Sequence, residues 1–271
     1  MRYRYLSLLA AAAISACSGD LKTTAPPPAE TPAFLKDVVV DRLPSPYYHF
    51  DYDAMGRITG ASFASGFRIY QVAYIGGRIT ELRNNAVGNT DVLKYFYDDL
   101  GRVARIDYLD ANGQVFTHVN FTYVGQQLTR VERDRLAASV FIIDKTMTFS
   151  YYPDGNLLEI IDHRPAIEGF QPETSTTDRF EGYDSGINVD GFGLIHNDFF
   201  DNLVLLPGVI LQKGNPARET FGGDGTTNFT VDYTYTYDDR NRPLTKSGDA
   251  VFTNGPNVGQ RFQIASEFSY Y

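Results

Sequence analysis

One short turn recurs along this chain, and a chain that repeats a turn repeats a fold. Clear copies are Phe50-Asp51-Tyr52-Asp53-Ala54-Met55-Gly56-Arg57-Ile58, Tyr95-Phe96-Tyr97-Asp98-Asp99-Leu100-Gly101-Arg102-Val103, Phe149-Ser150-Tyr151-Tyr152-Pro153-Asp154-Gly155-Asn156-Leu157 and Tyr235-Thr236-Tyr237-Asp238-Asp239-Arg240-Asn241-Arg242-Pro243-Leu244. Each leads an aromatic strand into Asp, then Gly or Asn, usually Arg, then an aliphatic residue. Looser copies run from Tyr70 to Ile79 and from Phe121 to Leu128. Gly56, Gly77, Gly101, Gly125 and Gly155 stand 21, 24, 24 and 30 residues apart, room for two strands and two turns per period. A tight hairpin needs a backbone position of positive φ, which Gly and Asn tolerate best, and Asn241 takes that place in the last copy. The Asp ahead of it can accept hydrogen bonds from the turn backbone. These six turn positions are therefore read as structural.

Between turns the hydrophobic period is two. Val115, Val119, Phe121 and Tyr123 share a face. Val231, Tyr233, Tyr235 and Tyr237 oppose Asp232, Thr234, Thr236 and Asp238, and Phe262, Ile264 and Phe268 oppose Arg261, Gln263 and Glu267. One buried face and one wet face mark an antiparallel meander. After each turn the spacing becomes three, at Ile79 and Leu82, Val103 and Ile106, Leu128 and Val131, and Leu157 and Ile160. One β-bulge per repeat explains this and curves the sheet. The expected fold is all-β: a single curved antiparallel meander of repeated hairpins, open or partly closed and barrel-like, with one short helix in an insert. That helix is expected where Asp190 could cap a segment carrying Phe192, Ile195, Phe199, Leu203 and Leu206 on one face, ended by Pro207-Gly208. It falls in residues 163–230, the stretch that breaks the repeat.

The Tyr-Asp-x-x-Gly-Arg core resembles the YD repeat of Rhs-type proteins. A further stretch comprises Tyr183-Asp184-Ser185-Gly186-Ile187-Asn188, Phe192, Leu205-Leu206-Pro207 and Lys213-Gly214-Asn215-Pro216. With the repeat spacing, it is similar to a family of bacterial lipoproteins carrying a domain of unknown function with a porin-like fold. The resemblance spans residues 45–271 and implies an envelope location without naming a ligand. Rhs-type shells use many more repeats to enclose cargo than the six copies here.

The N-terminus reads as a signal peptide over residues 1–16. Arg2 and Arg4 precede a short apolar run, and Ile14-Ser15-Ala16 leads into Cys17, the sole cysteine. The run is shorter than the ~20 residues of a spanning helix. This resembles a lipobox, with Cys17 the lipidation site and mature N-terminus. Ser18 in place of Asp points to sorting to the outer membrane. Residues 17–46 read as a Pro- and Thr-rich tether, with Val38-Val39-Val40 a short first strand, and residues 47–271 as the β domain. The chain has net charge −9, and loss of Arg2 and Arg4 leaves 22 basic against 33 acidic residues, net −11. That balance disfavours nucleic acid and anionic lipid surfaces as partners. The membrane, through the lipid, and a glycan or envelope protein are the expected partners.

Chemistry-bearing motifs are scarce. The sequence has no GxSxG, HExxH, P-loop or CxxC. His49, His118, His163 and His196 are isolated and lack metal-ligand spacing. Gly191-Phe192-Gly193 lacks the third Gly of a dinucleotide fingerprint. Asp51-Tyr52-Asp53 and Asp110-Ala111-Asn112-Gly113 resemble calcium loops without the acid spacing or the closing Glu. Arg57, Arg78, Arg102 and Arg242 suggest an anion site, yet their place after every turn favours pairing with the turn Asp or stacking on the preceding Tyr. No cofactor, metal or catalytic residue is expected. Three readings compete: a non-enzymatic envelope lipoprotein with a binding or structural role, a glycan-binding module of a nutrient-uptake system, and a hydrolase with an unrecognised site. Exposed aromatics on a concave face favour the second, and converging carboxylates in a deep pocket the third.

Overall fold

The computed structural model describes residues 34–85, 91–196, 203–223 and 225–271. Cys17, the signal segment and most of the tether lie outside the described residues. The strands are β1 (Leu35–Val40), β2 (Tyr48–Tyr52), β3 (Ile58–Phe63), β4 (Arg68–Ile75), β5 (Arg78–Asn84), β6 (Val92–Tyr97), β7 (Val103–Leu109), β8 (Val115–Val124), β9 (Gln127–Ala137), β10 (Val140–Tyr151), β11 (Leu157–Arg164), β12 (Thr174–Glu181), β13 (Arg218–Gly223), β14 (Phe229–Tyr237), β15 (Pro243–Phe252) and β16 (Arg261–Tyr270). They pair antiparallel in chain order, and β1 also pairs with β16.

The sheet is therefore a closed barrel, not the open or partly closed meander expected from the sequence. Curvature comes from the bulges. Register shifts fall beside Tyr52, Tyr74, Tyr97, Tyr123, Tyr151 and Tyr237, one per repeat. Each adds a residue to the strand after the turn, so that Val103 and Ile106 both face inward and are buried. Closure depends on β1, which lies within the segment read as tether and joins Val38 to both Phe268 and Tyr48. A sheet so closed has no edge strand to protect. β12, β13 and the start of β14 lie inside residues 163–230, so only the connection from β12 to β13 departs from the meander.

The expected helix is absent from the described part of that connection. Gly191–Leu194 forms a single 3₁₀ turn, and the Asp190 side chain makes no capping bond. Two of its four residues are glycines, which disfavour helix by about 1 kcal/mol each. Phe199 lies outside the described residues. Leu203, Val204 and Leu205 are all buried. Three consecutive buried side chains mark a segment enclosed on every side, and the connection is a plug inside one end of the barrel.

Inward positions make the core: Leu82, Leu93, Ile106, Leu128, Leu157 and Val231 are all fully buried. Outward positions are mostly polar, with Ile69, Phe96, Ile143 and Ile161 as exposed apolar exceptions. One outer row passes through Ser150, Glu159, Arg179, Thr220, Thr230, Val251 and Arg261. At the repeat-turn end, five tyrosines reach back one repeat to a backbone carbonyl. Tyr74 donates to Ile58 (2.8 Å), Tyr97 to Ile79 (2.8 Å), Tyr123 to Val103 (2.9 Å), Tyr151 to Leu128 (2.6 Å) and Tyr183 to Leu157 (2.7 Å). In these copies the Tyr ring packs inward while its hydroxyl satisfies a bulged carbonyl; the Tyr237 hydroxyl donates instead to the Asp184 carboxylate.

Candidate functional site

The repeat turns gather at one end of the barrel, and the plug covers part of that end. It is tied down on one side. Asn156 Oδ1 accepts the backbone N–H groups of Lys213 (2.8 Å) and Gly214 (3.1 Å). Asn241 Nδ2 donates to the Ser185 carbonyl (2.7 Å), and the Ile187 N–H donates to the Asn241 carbonyl (2.9 Å). Asp184 Oδ1 accepts from the N–H groups of Gly186 and Asn215, both at 2.9 Å, and the Tyr237 hydroxyl donates to Asp184 Oδ2. A Cβ at Gly214 would overlap the Asp184 carbonyl oxygen, so only glycine permits this approach. Deeper in, the Leu205 N–H donates to the buried Tyr95 hydroxyl (3.2 Å).

On the other side, between the plug and the β2–β3, β4–β5 and β6–β7 turns, a cavity of about 520 Å³ remains. That volume suits a small-molecule site. Its wall is mainly apolar, with Phe50, Tyr52, Tyr74, Tyr97, Phe192 and Leu205 among the lining residues. Arg57 and Arg78 line it next to the turn glycines Gly56, Gly77 and Gly101. Around it the turn tips carry exposed aliphatics: Met55, Ile75, Leu100 and Val124 are each about 70% exposed (71, 75, 71 and 69%).

Three of the four repeat arginines are committed to their turns. Arg57 pairs with Asp53 (2.6 Å), Arg102 with Asp98 (2.7 Å) and Arg242 with Asp238 (2.7 Å). Asp53 and Asp98 are held below the usual carboxylate range, first by the arginine's backbone N–H, with its guanidinium adding to the effect. The stacking partner differs from expectation: each guanidinium covers the Tyr of the following repeat, Arg57 on Tyr74 (4.8 Å) and Arg102 on Tyr123 (4.6 Å). Arg78 is the exception. It covers Tyr97 at 5.3 Å, but among the described residues no carboxylate pairs with it. The reason is local sequence. Its turn reads Tyr74-Ile75-Gly76-Gly77-Arg78, with Ile where the other Arg-bearing copies have Asp.

The six turn residues all have positive φ: Gly56 75°, Gly77 80°, Gly101 79°, Gly125 59°, Gly155 89° and Asn241 62°. Asp53 and Asp110, from the calcium-like stretches, accept hydrogen bonds from their own turn backbones. His49 contacts Asp37 (2.6 Å), His118 contacts Asp107 (2.6 Å), and buried His196 contacts the Tyr48 hydroxyl (2.8 Å). His163 pairs in the outer wall with Thr146 and Ser175. The structure does not bring the four histidines together.

The inner wall also holds ionisable groups that sequence periodicity hid. Asp178 faces inward in the row of Phe149, Ile160, Phe221 and Phe229. It lines a second cavity of about 390 Å³ with Asp162 and Arg164. Burial, then the neighbouring Glu219 charge, pushes the Asp178 carboxyl up to about 9 against the opposing pull of Lys246. One of its oxygens is buried with no hydrogen-bond partner. Glu219 accepts from the Tyr233 hydroxyl (2.6 Å) and is also raised by burial. Lys246 pairs with Asp190 of the plug at 3.1 Å. Burial lowers the Lys246 ammonium, but Asp190 and Glu219 outweigh it and hold the group above its ordinary value. Glu219 and Lys246 face a space of only about 170 Å³, and this cluster locks the plug to the wall.

No protein-family model matches the chain, and no curated protein matches it. Solved structures do share the fold. A porin-like protein from Bacteroides uniformis superposes with a TM-score of 0.56 at 16% identity, over 83% of this chain and 90% of that one. A porin-like protein from Bacteroides vulgatus gives 0.57 at 15% identity, over 88% and 99%.

Proposed function

We propose that this chain is a non-catalytic, lipid-anchored barrel of the outer membrane, and that it binds a small apolar ligand in the turn-end cavity. The observation that carries this reading is the plug: it fills the barrel end, is fastened on one side, and leaves an apolar cavity on the other. The porin-like neighbours support a barrel of the cell envelope. The mostly polar outer rows, with charged residues such as Glu159, Arg179 and Arg261 among them, argue against a lipid-facing wall, which needs an apolar band about 25 Å tall. The Cys17 anchor rests on the sequence. An alkynyl fatty acid is expected to label the wild type and not Cys17→Ser.

The binding reading is tested with the neutral fluorophore N-phenyl-1-naphthylamine. Saturable, equimolar binding is expected, and Ile58→Trp, which fills the cavity, is expected to abolish it. Absence of binding, or binding unchanged by Ile58→Trp, sinks the reading. A second reading, hydrolysis, draws on the inward Asp178 and Glu219. Against it, Glu219 is held by Tyr233 beside Lys246. Turnover of a polysaccharide or peptide that is lost in Asp178→Asn would replace binding by catalysis.

A further inference from the structure

We propose that the ligand of the turn-end cavity is a single long-chain carboxylate, its chain against the aromatic and aliphatic wall and its head on the Arg78 guanidinium. This rests on the reading of the cavity as a binding site. The repeats supply an internal control. The same residue at the same turn position binds a carboxylate in three copies, through Asp53, Asp98 and Asp238. In the fourth, the Asp is replaced and the guanidinium faces a cavity instead. Arg57 also lines the cavity, but its charge is already met. Arg78 therefore offers the uncompensated cation of the site among the described residues.

Its position suits a head-group contact. Arg78 is exposed at the turn, and its Nη2 leans over Gly101, 2.8 Å from where a Cβ would stand. Tyr97, under the guanidinium, also lines the cavity. A planar guanidinium matches a carboxylate with two parallel hydrogen bonds. Most of the remaining lining is apolar, so the cavity offers both parts that an amphiphile needs. The exposed Met55, Ile75 and Leu100 on the flanking turns extend that apolar surface to the rim.

The test uses full-length Cys17→Ser protein, which carries no acyl group of its own. Bound cis-parinaric acid is displaced by hexadecanoate, hexadecanol or hexadecyl phosphate. Hexadecanoate is expected to displace it at about tenfold lower concentration than hexadecanol, the worth of one charge-assisted contact. Arg78→Gln is expected to remove that preference while N-phenyl-1-naphthylamine still binds. Arg102→Gln, whose arginine is paired with Asp98, is expected to keep it. Equal displacement by acid and alcohol, or a preference that survives Arg78→Gln, overturns the head-group assignment and leaves the cavity reading standing. Hexadecyl phosphate displacing better than hexadecanoate overturns the choice of carboxylate. Failure of the neutral fluorophore to bind at all overturns the cavity reading itself.

Discussion

Replacing Gly101 tests whether the turn conformation, rather than the space around it, dictates the residue. Gly101 has φ +79°, and its N–H donates to the Asp98 carbonyl at 2.9 Å. Asp98 Oδ1 accepts from the Leu100 and Arg102 N–H groups on either side (3.0 and 2.9 Å), so the backbone cannot relax without breaking three bonds. The atom nearest to an added Cβ is Arg78 Nη2, the end of a flexible side chain, so crowding adds little. The cost of Gly101→Val is then mainly conformational. A β-branched residue in the left-handed region costs on the order of 1–2 kcal/mol. Gly101→Asn is expected to cost only a few tenths, because Asn241 holds the equivalent place at φ 62° with the same backbone bond to Asp238 (3.1 Å). At roughly 2–4 °C per kcal/mol for a domain of this size, Val should lower the melting temperature by about 2–8 °C and Asn by about 1 °C. Scanning calorimetry with urea titration reads both. Equal stability of the two variants would refute the argument.

Other outcomes follow from the same geometry. Tyr97→Phe leaves the Ile79 carbonyl without its 2.8 Å donor and is expected to cost about 1 kcal/mol in urea unfolding. Asn156→Ala removes the acceptor of two plug N–H groups, and hydrogen exchange at Lys213 and Gly214 is expected to accelerate while the strands stay protected. Asp178 holds its proton in the fold up to about pH 9, whereas the unfolded chain releases it near 3.8. Between those values the folded state binds more protons, so stability falls as pH rises. Asp178→Asn is expected to flatten that decline in urea midpoints measured from pH 4 to pH 8.5, and an unchanged slope would remove Asp178 as its source.

Much of the local fold was legible in the residues. The change of spacing from two to three after each turn is a bulge seen in sequence, because Val103 and Ile106 can both face inward only if the strand gains a residue. Closure was not legible. It sums curvature over sixteen strands, and the pairing of Val38 with Phe268 joins opposite ends of the domain. The helix is absent from the described residues for another reason. Phe192, Ile195, Leu203 and Leu206 fit a helical spacing, but Leu203, Val204 and Leu205 are buried in succession, and an unbroken apolar run carries no conformational information. Gly191 and Gly193 were the available contrary signal. The distinction of Arg78 was also on the page, since Ile75 stands where the other Arg-bearing copies place Asp. What the residues could not reveal was the cavity beneath it, which depends on where the plug stops.

The tyrosine bonds at the turn end have a consequence for how such a molecule can vary. From Tyr52, which bonds the Leu35 carbonyl (3.0 Å), to Tyr183 each hydroxyl reaches back by one unit, whereas the Tyr237 hydroxyl goes to Asp184, so the tiling is interrupted only where the plug is fastened. Within that run a tile pair could be duplicated or lost without orphaning a single carbonyl. The plug has no such freedom. It reaches from Asn156 and Asn241 on one side to Tyr95 within the bore, and those distances hold for one circumference. The number of strands is thus measured by the one segment that is not part of the tiling, and a longer array of the same unit would need a longer plug or an empty bore.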